Sequence, residues 1–164
     1  MTGVLRPLSN DGWGFESNCF VCEPRNASGL RIPFHHDVDG ECVAADFTLD
    51  EQFSGAPRYV HGGVLLAILD EAMAWATIAV AERFAVTQET TSRFERPVKV
   101  GRQHAVRAWI DGVDGRLIRT RGEIVRPDGG QCVTANAVFA ALDLEQATDA
   151  AGGEITGDAA GYVI

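Results

Sequence analysis

The sequence predicts an α+β domain in which a strongly curved antiparallel sheet wraps around one long central helix. Three observations carry this. Residues 64–81 form one apolar stretch, rich in Ala and Leu and interrupted only by Asp70, Glu71 and Thr77. Four strand-like stretches follow, at about residues 89–100, 103–111, 116–126 and 131–142. The breaks between them are Gly101, the run from Gly112 to Gly115, and Pro127-Asp128-Gly129-Gly130, all turn chemistry. Short turns between long strands mean antiparallel neighbours. A helix that is apolar nearly all round cannot bury itself on a flat sheet, so the sheet must curl around it.

The other elements follow in chain order. Residues 1–29 are rich in Gly, Asn and Pro, with Trp13, Phe15 and Phe20 as anchors, and read as an irregular arm laid on the core. The main domain is expected to span 30–142. It opens with short apolar stretches at 30–34 and 42–49, joined by an Asp39-Gly40 hairpin turn. Val43, Ala45, Phe47 and Leu49 alternate, as in a half-buried strand. Residues 50–61 read as a loop. The apolar segment then makes a helix of about five turns. Val106, Ala108 and Ile110 alternate, as do Val133, Ala135, Ala137, Phe139 and Ala141. Residues 143–164, acidic and rich in Ala and Gly, read as a flexible tail.

Composition sets limits on function. The 164 residues suit one domain with a sizeable core. A net charge of −9 argues against nucleic acid as a partner. Two carboxylates at the centre of residues 64–81 would each cost roughly 2.5–3.5 kcal/mol in a bilayer, which argues against a membrane span. The opening residues have no basic segment followed by an apolar run, and the four Cys (19, 22, 42, 132) are too few for a disulfide scaffold. The expectation is a cytoplasmic protein with reduced thiols.

The segment His61-Gly62-Gly63-Val64-Leu65-Leu66-Ala67-Ile68-Leu69-Asp70 resembles the signature of hotdog-fold acyl-CoA thioesterases. The similarity is to the phenylacetate-pathway type and its relatives in the 4-hydroxybenzoyl-CoA thioesterase superfamily. In that group a His-Gly-Gly opens the central helix and a carboxylate follows nine residues after the His, here Asp70. Phe94-Glu95-Arg96-Pro97-Val98-Lys99-Val100-Gly101 is similar to a family strand ending in Arg-Pro with a later Gly. Cys19-Phe20-Val21-Cys22, continuing through Asn26 to Gly29-Leu30, is similar to the leader of one branch. The resemblance covers about residues 19–142 and implies a hotdog fold, an acyl-CoA substrate and self-association as a homodimer or dimer of dimers. Glu71, directly after Asp70, departs from the pattern and leaves a second candidate acid.

The motif makes chemical sense by itself. A helix start carries unpaired N–H groups and about half a positive charge. Glycines there let a substrate approach the backbone. A thioester carbonyl held on the Gly63 N–H, with Val64 and Gly62 beside it, would be polarised as in an oxyanion hole. Asp70 would attack it or activate a water. His61 would orient the loop or touch the carbonyl. Gly63 and Asp70 are about 10 Å apart along one helix, too far to share one carbonyl, so the site needs a second copy.

Further residues are candidates for holding the substrate. Thr90 and Thr91 would position a water on the strand flanking the helix. Phe94 would line an acyl pocket. Nine of the fourteen basic residues fall between Arg93 and Arg126, a stretch of net charge +5 in a chain otherwise at −14. Arg93, Arg96 and Lys99 are assigned to the phosphates of coenzyme A. Either a solvated sheet face or a phosphate site would carry such a run. Cys19 and Cys22 with His35 and His36 have a superficial zinc look, but adjacent histidines do not easily reach one tetrahedral centre. The pair reads as packed, reduced thiols, and neither metal nor cofactor is expected. The competing functional reading is a hotdog protein that binds acyl-CoA without hydrolysing it. A hydratase is disfavoured because no His follows Asp70 at a short spacing.

Overall fold

A computed structural model describes residues 4–164. Nine strands are present among these residues: β1 (Leu5–Pro7), β2 (His35–Asp37), β3 (Cys42–Phe47), β4 (Ser54–Ala56), β5 (Tyr59–Val60), β6 (Ala85–Phe94), β7 (His104–Asp114), β8 (Leu117–Val125) and β9 (Gln131–Ala141). Two α-helices, α1 (Gly62–Ala79) and α2 (Leu144–Ala151), complete the frame. Seven strands form one antiparallel sheet in the order β1-β2-β3-β7-β8-β9-β6, and β4 and β5 make a separate hairpin. This is the hotdog fold that the sequence predicts.

The sheet curls around α1. Leu65, Ile68, Leu69, Ala72, Met73 and Ala76 are buried against Val43, Val106, Ile118, Val133 and Phe139. Gly122 on β8 allows the closest approach, since a Cβ there would meet Leu69 Cδ2 at 3.1 Å. A second face of α1, carrying Glu71 and Trp75, is covered by the N-terminal arm. Between these faces runs an incompletely buried strip of Gly63, Ala67, Asp70 and Ala74.

Four departures from the sequence reading have local causes. Residues 30–34 are not a strand of the main sheet. They run beside the arm, with Leu30 N–H donating to Phe20 O at 2.8 Å and Ile32 N–H to Val21 O at 2.9 Å, and pairing with β3 begins only at β2. Residues 50–61 contain a 3₁₀ turn (Glu51–Phe53) and the β4–β5 hairpin, not an unstructured loop. β6 ends at Phe94, where Glu95 and Arg96 both donate their N–H groups to Cys132 O and Pro97 ends the ladder.

The largest departure is the tail read as flexible. Asp143 and Gln146 form a reciprocal capping box at the start of α2, and Gly152 (φ 71°) ends the helix in the left-handed region. Ala147, Ile155 and Ala159 are buried beside Trp13, Phe84 and Tyr162. Trp13 sits edge-on to Phe84 (5.5 Å between ring centres) and Tyr162 (6.2 Å). The acidic composition concealed a few well-spaced apolar anchors.

Candidate active site

The start of α1 is held by a short ladder to the segment after β6. Val60 N–H donates to Val98 O (2.9 Å) and Val100 N–H to Arg58 O (3.1 Å), while Tyr59 bridges Lys99. His61 N–H donates to Phe53 O at 2.9 Å. The helix start therefore sits beside the basic segment, although more than thirty residues separate them in sequence.

His61 is the N-cap. Its Nδ1 accepts the Gly63 N–H at 2.9 Å, and its carbonyl accepts the Val64 N–H at 3.0 Å. The Gly63 donor is thus already occupied by imidazole, whereas the Gly62 N–H has no partner among the described residues. His61 and Gly63 are exposed. A substrate oxygen reaching Gly63 must displace the imidazole; one reaching Gly62 need not. The Phe94 ring lies against Gly62, 3.5 Å from where its Cβ would be, and is half exposed.

Asp70 lies two turns further along α1 and faces β6. Thr87 Oγ1 donates to Asp70 Oδ1 at 2.7 Å. Nothing in the sequence pattern singles out Thr87. A bulge between Thr87 and Glu89 shifts the alternation of β6. Thr87 pairs with Phe139 and Thr90 with Ala137, both inward-facing residues of β9, so these two threonines share the helix side. Thr91 pairs with Asn136 and Arg93 with Thr134, on the opposite side of the sheet. Thr91 joins Glu89, Asp111 and Arg119 in a shallow outer cleft, and Arg93 meets Glu95 at 3.7 Å. The arrangement thus brings His61, Gly62, Gly63, Val64 and Phe94 together, puts Asp70 and Thr90 on the same side of the sheet, and turns Thr91 and Arg93 away.

The basic run is also divided. Arg121 stacks over Trp109 at 4.4 Å and pairs with Asp111 at 2.8 Å on the outer face. Arg96, Lys99, Arg102 and Arg126 instead line an open cleft of about 580 Å³. Arg96 donates to Gln131 O at 2.8 Å, and Arg126 pairs with Asp128 at 3.1 Å. The sequence count contained Arg102 and Arg126 but did not separate them from the solvated arginines.

Glu71 points the other way, to the arm, where its carboxylate meets Cys19 and Cys22. Burial pushes the Glu71 carboxyl up to about 7. A hydrogen bond from the Cys22 side chain holds Cys19 down to about 5, and the same bond raises Cys22. The second candidate acid of the sequence thus faces two thiols of the arm, on a different side of α1 from Asp70.

A curved sheet around one helix, with His-Gly-Gly at the helix start, defines a hotdog-fold domain. Residues 58–133, just under half of the chain, match the thioesterase superfamily. One similar solved structure, a thioesterase superfamily protein, is 30% identical over 71% of this chain with a TM-score of 0.67; the chain spans 57% of that protein's length. A phenylacetic acid degradation-related protein from Ralstonia eutropha JMP134 is 24% identical, covering 72% of this chain and 90% of its own, with a TM-score of 0.62. A thioesterase protein from Streptococcus pneumoniae TIGR4, solved with coenzyme A, shares the fold at 13% identity, covering 61% of this chain and 77% of its own, with a TM-score of 0.58. No curated protein matches the chain.

Proposed function

We propose that this protein hydrolyses acyl-CoA thioesters to a carboxylic acid and coenzyme A, at a site shared between two copies. The observation that carries this is the division of the chemistry on α1. The helix start offers exposed amide donors, and Asp70 offers a carboxylate held by Thr87, but about 10 Å of helix separates them. Two antiparallel helices meeting along the strip of Gly63, Ala67, Asp70 and Ala74 would bring the donor of one copy to the carboxylate of the other. The match of residues 58–133 to the thioesterase superfamily supports the reaction class, and the coenzyme A bound to a related fold supports the substrate class.

In this reading the thioester carbonyl oxygen accepts from Gly63, with Gly62 and Val64 beside it, as negative charge develops on it. His61 yields its hydrogen bond to the substrate. Asp70 of the second copy takes a proton from the attacking water, or attacks the carbonyl carbon itself to give a mixed anhydride that water then hydrolyses to the acid, regenerating Asp70; Thr87 fixes Oδ1 and leaves Oδ2 to react. The thiolate of coenzyme A departs. Arg96, Lys99, Arg102 and Arg126 meet its phosphates, and Phe94 lies against the acyl end. Thr90 is in reach of the helix side to position water. The reaction as written draws on no metal or redox cofactor.

The test is free-thiol release from a panel of aliphatic and aromatic acyl-CoAs. Hydrolysis of at least one member at saturable rates supports the reading. Saturable binding of several acyl-CoAs with no thiol release would replace it with the binding-protein alternative.

A further inference from the structure

Outside the proposed active site, one cluster of reactive side chains is assembled with more structure than packing requires. Cys19 Sγ, Cys22 Sγ and a carboxylate oxygen of Glu71 all lie within 4.8 Å of one another. They come from the arm and from the central helix, brought together across about fifty residues. Cys19 Sγ already accepts N–H groups from Val21 (3.3 Å) and Cys22 (3.4 Å), bonds that stabilise a thiolate. The loop that makes this turn is tightly specified. Asn26 Nδ2 donates to Asn18 O (3.2 Å) and Cys19 O (3.4 Å), and its Oδ1 accepts from Ser28 N–H (3.0 Å). At Gly29 a Cβ would stand 2.6 Å from Phe20 O, so a side chain there would disrupt the turn. Backbone bonds from Leu30 to Phe20 and from Ile32 to Val21 clamp the two cysteines from outside.

We propose that Cys19, Cys22 and Glu71 bind a thiophilic divalent cation of the zinc class, with water at the fourth position. Metal–sulfur bonds of about 2.3 Å and metal–oxygen bonds of about 2.0–2.2 Å put tetrahedral donors roughly 3.5–3.8 Å apart. With all three donors within 4.8 Å of one another, the present separations need to close by roughly 1.0–1.3 Å at most. Two thiolates select zinc over magnesium or calcium. Among the described residues no cation pairs with Glu71, so a dication would be its first ionic partner. His35 and His36 are not among the converging donors; they sit on β2. Bound there, the cation fastens the arm to α1 at the residue next to Asp70 and takes no part in the reaction proposed above.

The test uses the full chain, reduced and stripped of metal, titrated with zinc against a chromophoric chelator. One zinc per chain is expected. Cys19→Ser and Cys22→Ser should abolish binding, and Glu71→Gln should weaken it by at least ~10-fold, the lower bound seen even for residues that only support metal ligands. Cobalt added to the wild-type chain should give the intense near-ultraviolet absorption of thiolate-to-metal charge transfer, which needs no variant to fold. Zinc should also raise the Tm of wild type and not of the cysteine variants. Binding below one equivalent, a cobalt spectrum without thiolate absorption, or equal affinity in Cys19→Ser would each overturn the proposal. So would a Cys19–Cys22 disulfide in protein kept under reducing conditions. None of these readouts depends on thioester hydrolysis.

Discussion

Thr87 Oγ1 donates a 2.7 Å hydrogen bond to Asp70 Oδ1, joining the edge strand of the sheet to the central helix at its only aspartate. The bond restrains the rotation of the carboxylate and fixes which oxygen points away from β6. A carboxylate used as nucleophile or base gains from such restraint because its reactive geometry is set before substrate arrives.

Thr87→Val removes this donor while keeping the side-chain shape. A hydrogen bond to a charged group contributes about 1.5–3 kcal/mol, so kcat should fall roughly 10- to 100-fold. KM should change little, and Thr87→Ser should restore most of the loss. A Val variant with wild-type kcat would remove Thr87 from the mechanism.

Asp70→Asn keeps the shape and deletes the charge. Turnover of the best acyl-CoA should drop by at least ~100-fold, the scale of general acid–base catalysis. Glu71→Gln should cost less, since Glu71 faces Cys19 and Cys22 across the helix. Steady-state kinetics of both variants decide the assignment, which reverses if Glu71→Gln is the more damaging.

Arg96→Ala and Lys99→Ala address the cleft. Each exposed charge contact is worth about 0.2–1 kcal/mol, so KM for coenzyme A esters should rise by roughly 1.4- to 5-fold. Pantetheine esters lack the adenosine phosphates and should be unaffected. Equal changes on both substrates would show that these side chains do not hold phosphate.

Gly63→Pro removes the N–H that now caps on His61 Nδ1, and Pro is tolerated in the first helical turn. The lost cap costs about 1 kcal/mol of stability. The lost oxyanion donor costs roughly 3–4 kcal/mol of transition-state binding. In a mixed dimer with Asp70→Asn, one site collects both defects and the other has none. Heterodimers of two inactive parents should then recover about half of wild-type activity. Verified, folded heterodimers that stay inactive would leave the shared site untenable. If the carbonyl uses Gly62 instead, the Gly63→Pro parent will be active at the outset.

Trp13→Ala tests the ordered tail. Trp13 touches Phe84, Tyr162 and Trp75, so truncation should cost about 2–4 kcal/mol and lower Tm. A change under 0.5 kcal/mol would mean the tail packs independently of the arm.

By itself the sequence determined the central helix, the antiparallel meander and the hotdog curvature, because those depend on local periodicity and turn chemistry. An 18-residue helix apolar on most sides leaves few ways to bury it. His61-Gly62-Gly63 at the helix start was legible for the same reason: capping is local. Only the tertiary structure decided which groups meet. The bulge in β6 changed which threonines face the helix, and no pattern of 87–91 reveals a one-residue shift set by pairing with β9. Glu71 met thiols fifty residues away because the arm crosses that face of α1. The acidic tail became ordered because Trp13 and Phe84 offered it an aromatic surface. Local propensities depend on neighbours in the chain, whereas burial, hydrogen-bond partners and proton affinities depend on neighbours in space.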